Sequence, residues 1–142
     1  GTGHAATLSA LLALRLDRSG YNARGLDRWD WRTLEALSAM QSGDLLIAVS
    51  FRRTPKALAQ LIAEAGARGV RTLVITDLPG FQPRPDVALA AHRGSAGESQ
   101  SLTVPMAICN ALVLDVARLD KGKSMRALYA LTALRRKLPS LD

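Results

Sequence analysis

Ser50, Arg52, Arg53 and Thr54 stand together between an apolar run and the start of a helical pattern, so hydroxyl and guanidinium groups are gathered in one short turn. That combination suits the capture of an anion by charge-assisted hydrogen bonds. The residues before it, Leu45-Leu46-Ile47-Ala48-Val49, are apolar without alternation, the mark of a strand buried on both faces in a parallel sheet. Helical spacing takes over near Thr54, and Pro55 suits a first helical position, where no N–H is needed. Strand, polar turn and helix start together aim backbone N–H groups and a positive helix end at one point. Gly1-Thr2-Gly3-His4 is a second turn of this kind, running directly into a helical pattern, which adds Gly3 and His4 to the candidate contacts. A third polar segment, 92–100, carries His92, Glu98 and Ser99. Glu98 and Ser99 are candidate ligand contacts and also candidate caps for the helix that follows.

The elements that must position these residues can be read from periodicity. Residues 5–16 carry Leu8, Leu11, Leu12 and Leu16 at helical spacing, and Gly20 stops that helix. Residues 22–25 form a short connection or weak strand. A second helix is expected over 30–40, with Asp30 as N-cap and Trp31, Leu34, Leu37 and Met40 on one face. A strand over 45–49, a helix over 54–68 and a second strand over 70–76 follow. The proline-rich loop 77–85 leads to a short strand over 86–91. The chain closes with helices over 101–119 and 124–138, the last capped by Ser124. Alternating strands and helices predict a parallel sheet covered by helices on both faces. Ligands of such sheets sit beyond the carboxyl ends of the strands, which gives priority to residues 50–56, 76–78 and 92–99. The turn at Gly1 implies a further strand ahead of it.

At 142 residues with 48% apolar content the chain suits one domain with a substantial core, and aromatic residues make up only 4%, too few for a single-strand nucleic-acid platform. The net charge of +7 is scattered along the chain, which reads as a solvated basic surface and not as a DNA-binding face. The single cysteine, Cys109, lies in an apolar periodic run; it excludes an internal disulfide and points to a reducing compartment. No stretch approaches the roughly 20 apolar residues of a membrane helix, and no signal-peptide layout is present. Two separated histidines and one apolar cysteine give no metal-ligand spacing. The short Gly1-x-Gly3 pair is no dinucleotide fingerprint, so no cofactor is expected. Trp29 and Trp31 read as core or interface packing. The 101–119 helix is apolar on more than one side, as expected of a helix buried against a second subunit.

Gly1-Thr2-Gly3-His4-Ala5 resembles the Gly-x-Gly-x-Ser turn of the SIS (sugar isomerase) phosphosugar-binding fold, and Gly43 to Phe51 resembles its Gly-Asp-x-x-Ile-x-Ile-Ser-x-Ser-Gly segment. Ala63 to Asp77 and then Asp86-Val87-Ala88-Leu89 are similar to the helix and strands that follow in that family. The likeness spans nearly the whole chain and is greatest to the effector domain of RpiR-family transcriptional regulators. It implies an α/β, three-layer α/β/α architecture with a parallel sheet of about five strands, a flavodoxin-like SIS fold. Two departures bear on chemistry. Ala5 stands where the family places a Ser, and Arg52-Arg53 replaces its Ser-Gly pair. Gly lets bare backbone approach a phosphate, whereas two arginines would clasp an acidic group by bidentate bonds.

The resemblance implies a single SIS-like domain over 1–142, belonging to a longer cytoplasmic protein with an upstream DNA-binding domain. The function it implies is a non-catalytic sensor of a small phosphorylated or acidic sugar, acting as a homodimer and reaching DNA only through a domain outside this chain, with no membrane partner. The expected ligand contacts are Gly3, His4, Ser50, Arg52, Arg53, Thr54, Glu98 and Ser99, with no catalytic residue. The rival reading is an aldose–ketose phosphosugar isomerase, in which Glu98 would be the proton-moving base. A degenerate domain that only dimerises is the third.

Overall fold

The computed structural model describes residues 1–95 and 97–141. In chain order the elements are α1 (His4–Arg18), α2 (Trp31–Ala39), β1 (Leu45–Ser50), α3 (Lys56–Ala67), β2 (Arg71–Thr76), β3 (Val87–Ala90), α4 (Thr103–Leu119) and α5 (Lys121–Lys137), with a 3-10 turn at Pro139–Leu141. The sheet has the order β1-β2-β3 and is parallel throughout, with Val49 opposite Ile75, Ser50 opposite Thr76, and Thr76 opposite Ala90. All three strands therefore end on the same edge.

Alternation along the strands divides the core into two layers. Ala48 and Val74 face a cluster with Leu37 of α2 and Leu58, Leu61, Ile62 and Ala65 of α3. Val49 and Ile75 face the other way, into Ala5, Leu8 and Leu12 of α1 and Cys109 and Val113 of α4. The three-layer arrangement follows directly. Arg15 of α1 also donates to Asn110 Oδ1 of α4, tying the two helices of that layer together. Among the described residues, only β2 has a strand on each side. Leu45 of β1 and Val87 of β3 are exposed, as residues at the starts of edge strands can be.

Among the described residues the sheet holds three strands, where about five were expected. The expectation of a strand ahead of Gly1 concerns residues outside these 142. Of the two readings of 22–25, a short connection or a weak strand, the structure shows the connection: its Asn, Arg and Gly residues have little strand preference. Gly25 instead rests against Ala10 and Ala13 of α1. Asp30 caps α2 as expected, accepting from Arg32 N at 3.0 Å. The two C-terminal helices start differently from expectation. Helix α5 begins at Lys121, capped by Asp120, which accepts from Lys123 N at 3.1 Å, and Ser124 lies inside the helix. Helix α4 begins at Thr103, whose N–H is taken by Ser101 Oγ at 3.1 Å, and neither Glu98 nor Ser99 caps it.

Asp86 fastens β3 to β2 at the amino end of the sheet. Its Oδ2 accepts from Thr72 N at 2.7 Å and from Thr72 Oγ1 at 2.8 Å, while Asp86 N donates to that hydroxyl at 3.0 Å. The backbone and hydroxyl donors of Thr72 hold this carboxyl below its ordinary range. A carboxylate with a depressed folded-state pKa adds stability above its unfolded pKa of about 3.9, and that contribution disappears as pH falls through the folded value. Asp86→Asn is therefore expected to unfold at lower urea concentration than the wild type at pH 7. The gap should narrow steadily as pH falls below about 4, as measured by denaturation across pH.

Candidate functional site

At the carboxyl edge the last rung of the sheet, Ser50 beside Thr76, is buried, and the chain leaves it through three different loops. The turn after β1 is held by its own hydroxyl, because Ser50 Oγ donates to Arg53 O at 3.0 Å. Arg52 adopts φ 68°, in the left-handed region that side chains with a Cβ disfavour. Its amide donates to Asp77 Oδ1 at 2.7 Å. The other oxygen of Asp77 receives Arg93 Nε at 2.9 Å. Arg93 NH2 lies 2.8 Å from that same oxygen, but off the donor axis, so its N–H groups have no aligned acceptor among the described residues. The side chains of Arg93 and Asp77 are only 4% and 15% exposed, and the Arg93 guanidinium lies 4.3 Å from the centre of the Phe51 ring. A buried charge needs such a partner, and a flat cation over an aromatic face adds further attraction.

A cavity of about 130 Å³ opens beside this turn. Ser50, Phe51, Arg53 and Pro55 line one side, and Thr2 and Ala5 at the start of α1 line another. Trp29, Val49 and Leu58 complete the wall, which has no carboxylate and no imidazole among the described residues. The volume corresponds to about four waters at roughly 30 Å³ each, enough for a phosphate-sized group with the rest of a ligand extending outward. Helix α3 starts here behind Pro55, with no side-chain cap and no acidic residue in its first turn. Its free N–H groups and its dipole favour negative charge. A larger cavity, about 440 Å³, lies at the opposite, amino end of β2 and β3 between α3 and residues 83–86. The carboxylate there, Asp86, is already committed to Thr72, so size does not make it the better site.

The expected contacts divide clearly. Ser50 and Arg53 line the carboxyl-edge cavity, and Thr54 lies half-buried between Arg53 and Pro55, which also line it. Arg52 reaches the site through its backbone, while its side chain is exposed. Gly3, at φ 58°, lets the chain turn into α1 between two lining residues, Thr2 and Ala5. Both Gly3 and His4 are exposed and outside the lining. Glu98 and Ser99 are exposed in the loop after β3, also outside the lining; Glu98 N donates to Ser95 O at 3.3 Å. His92 is exposed, and its Nδ1 accepts from Gly94 N at 3.3 Å. Trp29 packs against the α2–α3 core and lines the cavity as well, whereas Trp31 is 61% exposed.

Asp77 and Arg93 fall in the segments 76–78 and 92–99 that take priority in the sequence, but neither is assigned a role there. The signal was a charged residue closely following an apolar strand in each case, but their pairing across two loops is a tertiary fact.

The family model for the SIS domain matches residues 32–114, more than half of the chain. This chain belongs to the SIS domain family. Among solved structures, the SIS domain here is similar to the sugar isomerase domain of an RpiR transcription factor from Sphaerobacter thermophilus, with a TM-score of 0.84 and 25% identity over 94% of this chain and 75% of that one. The Vibrio vulnificus NanR protein complexed with ManNAc-6P has the same fold, with a TM-score of 0.77 and 18% identity, covering 97% of this chain and 54% of that one. E. coli CFT073 c3406 in complex with A5P shares it at a TM-score of 0.69 and 16% identity, over 94% of this chain and 73% of that one. The SIS domain thus spans about half of the NanR chain. No curated protein sequence matches.

Removing Arg93 leaves the Asp77 carboxylate of this SIS domain without its charge partner. Arg93→Met is expected to cost about 3–5 kcal/mol of stability, read from urea denaturation.

Proposed function

We propose that this SIS domain is a non-catalytic effector module that binds a small phosphorylated or acidic sugar in the cavity at the carboxyl ends of the strands. The observation that carries the reading is the wall of that cavity: Arg53 and the uncapped start of α3 supply positive potential, and no carboxylate opposes it. Trp29 adds an aromatic wall suited to the apolar face of a sugar ring. The lining offers no side chain able to move a proton between sugar carbons near neutral pH, which favours sensing over isomerisation. The sugar phosphates bound by NanR and by c3406 are the natural first candidates.

In this reading the module works inside a longer cytoplasmic regulator as a homodimer. The ligand favours one arrangement of the pair and thereby changes how an upstream domain meets DNA. Support for a second copy comes from α4 and α5. Leu114 of α4 is 62% exposed, Tyr129 of α5 is 66% exposed, and α5 has no buried residue. A symmetric partner is the economical way to cover such a surface. Sedimentation is expected to show a dimer that Leu114→Glu converts to monomer.

Calorimetric titration with ManNAc-6P, A5P and inorganic phosphate tests the binding reading. At least one sugar phosphate should bind saturably and more tightly than phosphate alone. Arg53→Ala should weaken that binding about tenfold or more, since a charge-assisted hydrogen bond contributes about 1.5–3 kcal/mol. Absence of saturable heat with both sugar phosphates would overturn the proposal.

A further inference from the structure

We infer that Asp77 and Arg93 are the positioning residues of the anion-binding turn, holding Arg52 in the left-handed backbone conformation from which Arg53 and the start of α3 face the cavity. The effect on ligand affinity rests on the function proposed above; the effect on the backbone does not.

Arg52 carries a Cβ and yet sits at φ 68°. A residue in that region needs something to hold it there, because glycine alone takes it freely. Its side chain is exposed, so the restraint comes from the backbone: Arg52 N donates to Asp77 Oδ1 at 2.7 Å. Asp77 is in turn aimed by Arg93, whose Nε meets the other carboxylate oxygen at 2.9 Å. Arg93 is itself constrained from two directions. Its guanidinium lies over Phe51, the residue before Arg52, and its carbonyl accepts from Ser101 N at 2.8 Å. Ser101 Oγ then takes the N–H of Thr103, the first residue of α4. A continuous polar chain therefore runs from the turn after β1, through the ends of β2 and β3, to the beginning of α4. Arg53 is the next residue after the restrained one, so releasing Arg52 moves the group that faces the cavity.

The arrangement makes a specific demand that a merely stabilising ion pair does not. Asp77 matters to the turn because residue 52 is not glycine. Supplying glycine there should remove most of the need for Asp77. The test uses four proteins: wild type, Asp77→Ala, Arg52→Gly and the double variant. In the wild type, residue 52 should show the strong intraresidue amide–Hα NOE of a positive φ, and Asp77→Ala should lose it. In titrations with ManNAc-6P, Asp77→Ala should weaken binding about tenfold in the Arg52 background. In the Arg52→Gly background the same replacement should weaken it less than about threefold, because glycine takes a positive φ without strain. Equal losses in the two backgrounds, or a residue 52 that keeps its positive-φ signature in Asp77→Ala, would overturn the inference. If Asp77→Ala does not fold, Asp77→Asn and Arg93→Met are read by the same NOE, with its loss in Arg93→Met expected and its persistence in both counting against. If wild-type protein binds no sugar phosphate, the functional reading fails, while the NOE still decides the positioning role.

Discussion

Parallel pairing collects the carboxyl ends of β1, β2 and β3 on one edge, and the polar interior of the molecule is organised by what happens there. Ser50 and Thr76 end their strands side by side, so the residues that follow them are forced into proximity although they are far apart in the chain. Three loops leaving one edge carry more backbone N–H groups than the sheet can satisfy. The Asp77 carboxylate resolves part of that problem by taking the Arg52 amide on one oxygen and the Arg93 guanidinium on the other. A half-buried carboxylate needs such partners to offset its lost hydration. With them it becomes a rigid bracket between the loops after β1, β2 and β3.

That bracket explains how the turn after β1 tolerates arginine where the SIS pattern, by resemblance, has small residues. A glycine-containing turn adopts unusual backbone angles at little cost and brings bare backbone to an anion. Here the unusual angle is present at Arg52, but it is held by tertiary contacts, and the adjacent Arg53 lines the cavity. The two ends of the sheet also differ in kind. At the amino end Asp86 spends its carboxylate on Thr72 and fastens β3 in place, whereas at the carboxyl end the α3 amides lack a side-chain cap and Arg53 stands at the wall.

Much of the fold was legible in the sequence. The apolar runs at 45–49 and 70–76, the Asp30 cap, and the helical spacing of Leu8 and Leu12 are local or periodic signals, and the elements formed where those signals lie. The misreadings have equally local causes. Ser124 looked like a cap because hydroxyls favour that position, but Asp120 stands earlier and accepts the Lys123 amide, so the helix starts there. Glu98 and Ser99 do not cap α4, because Ser101 stands nearer and accepts the Thr103 amide; as ligand candidates they sit in the loop after β3. That loop leaves β3, at the far edge of the sheet from β1, and they do not line the cavity beside the β1 turn.

Pattern alone determined the order of strands and helices and the parallel sheet between two helical layers, and it singled out the polar turn that follows Val49. Each of these follows from the spacing of apolar residues and the chemistry of a few adjacent ones. Tertiary structure alone decided that Asp77 and Arg93 meet, that Trp29 walls the cavity, and that Arg53 lines it while Arg52 contributes its amide. Those outcomes depend on which loops the parallel register brings to the same edge, and register between distant segments has no signature in the residues of either one.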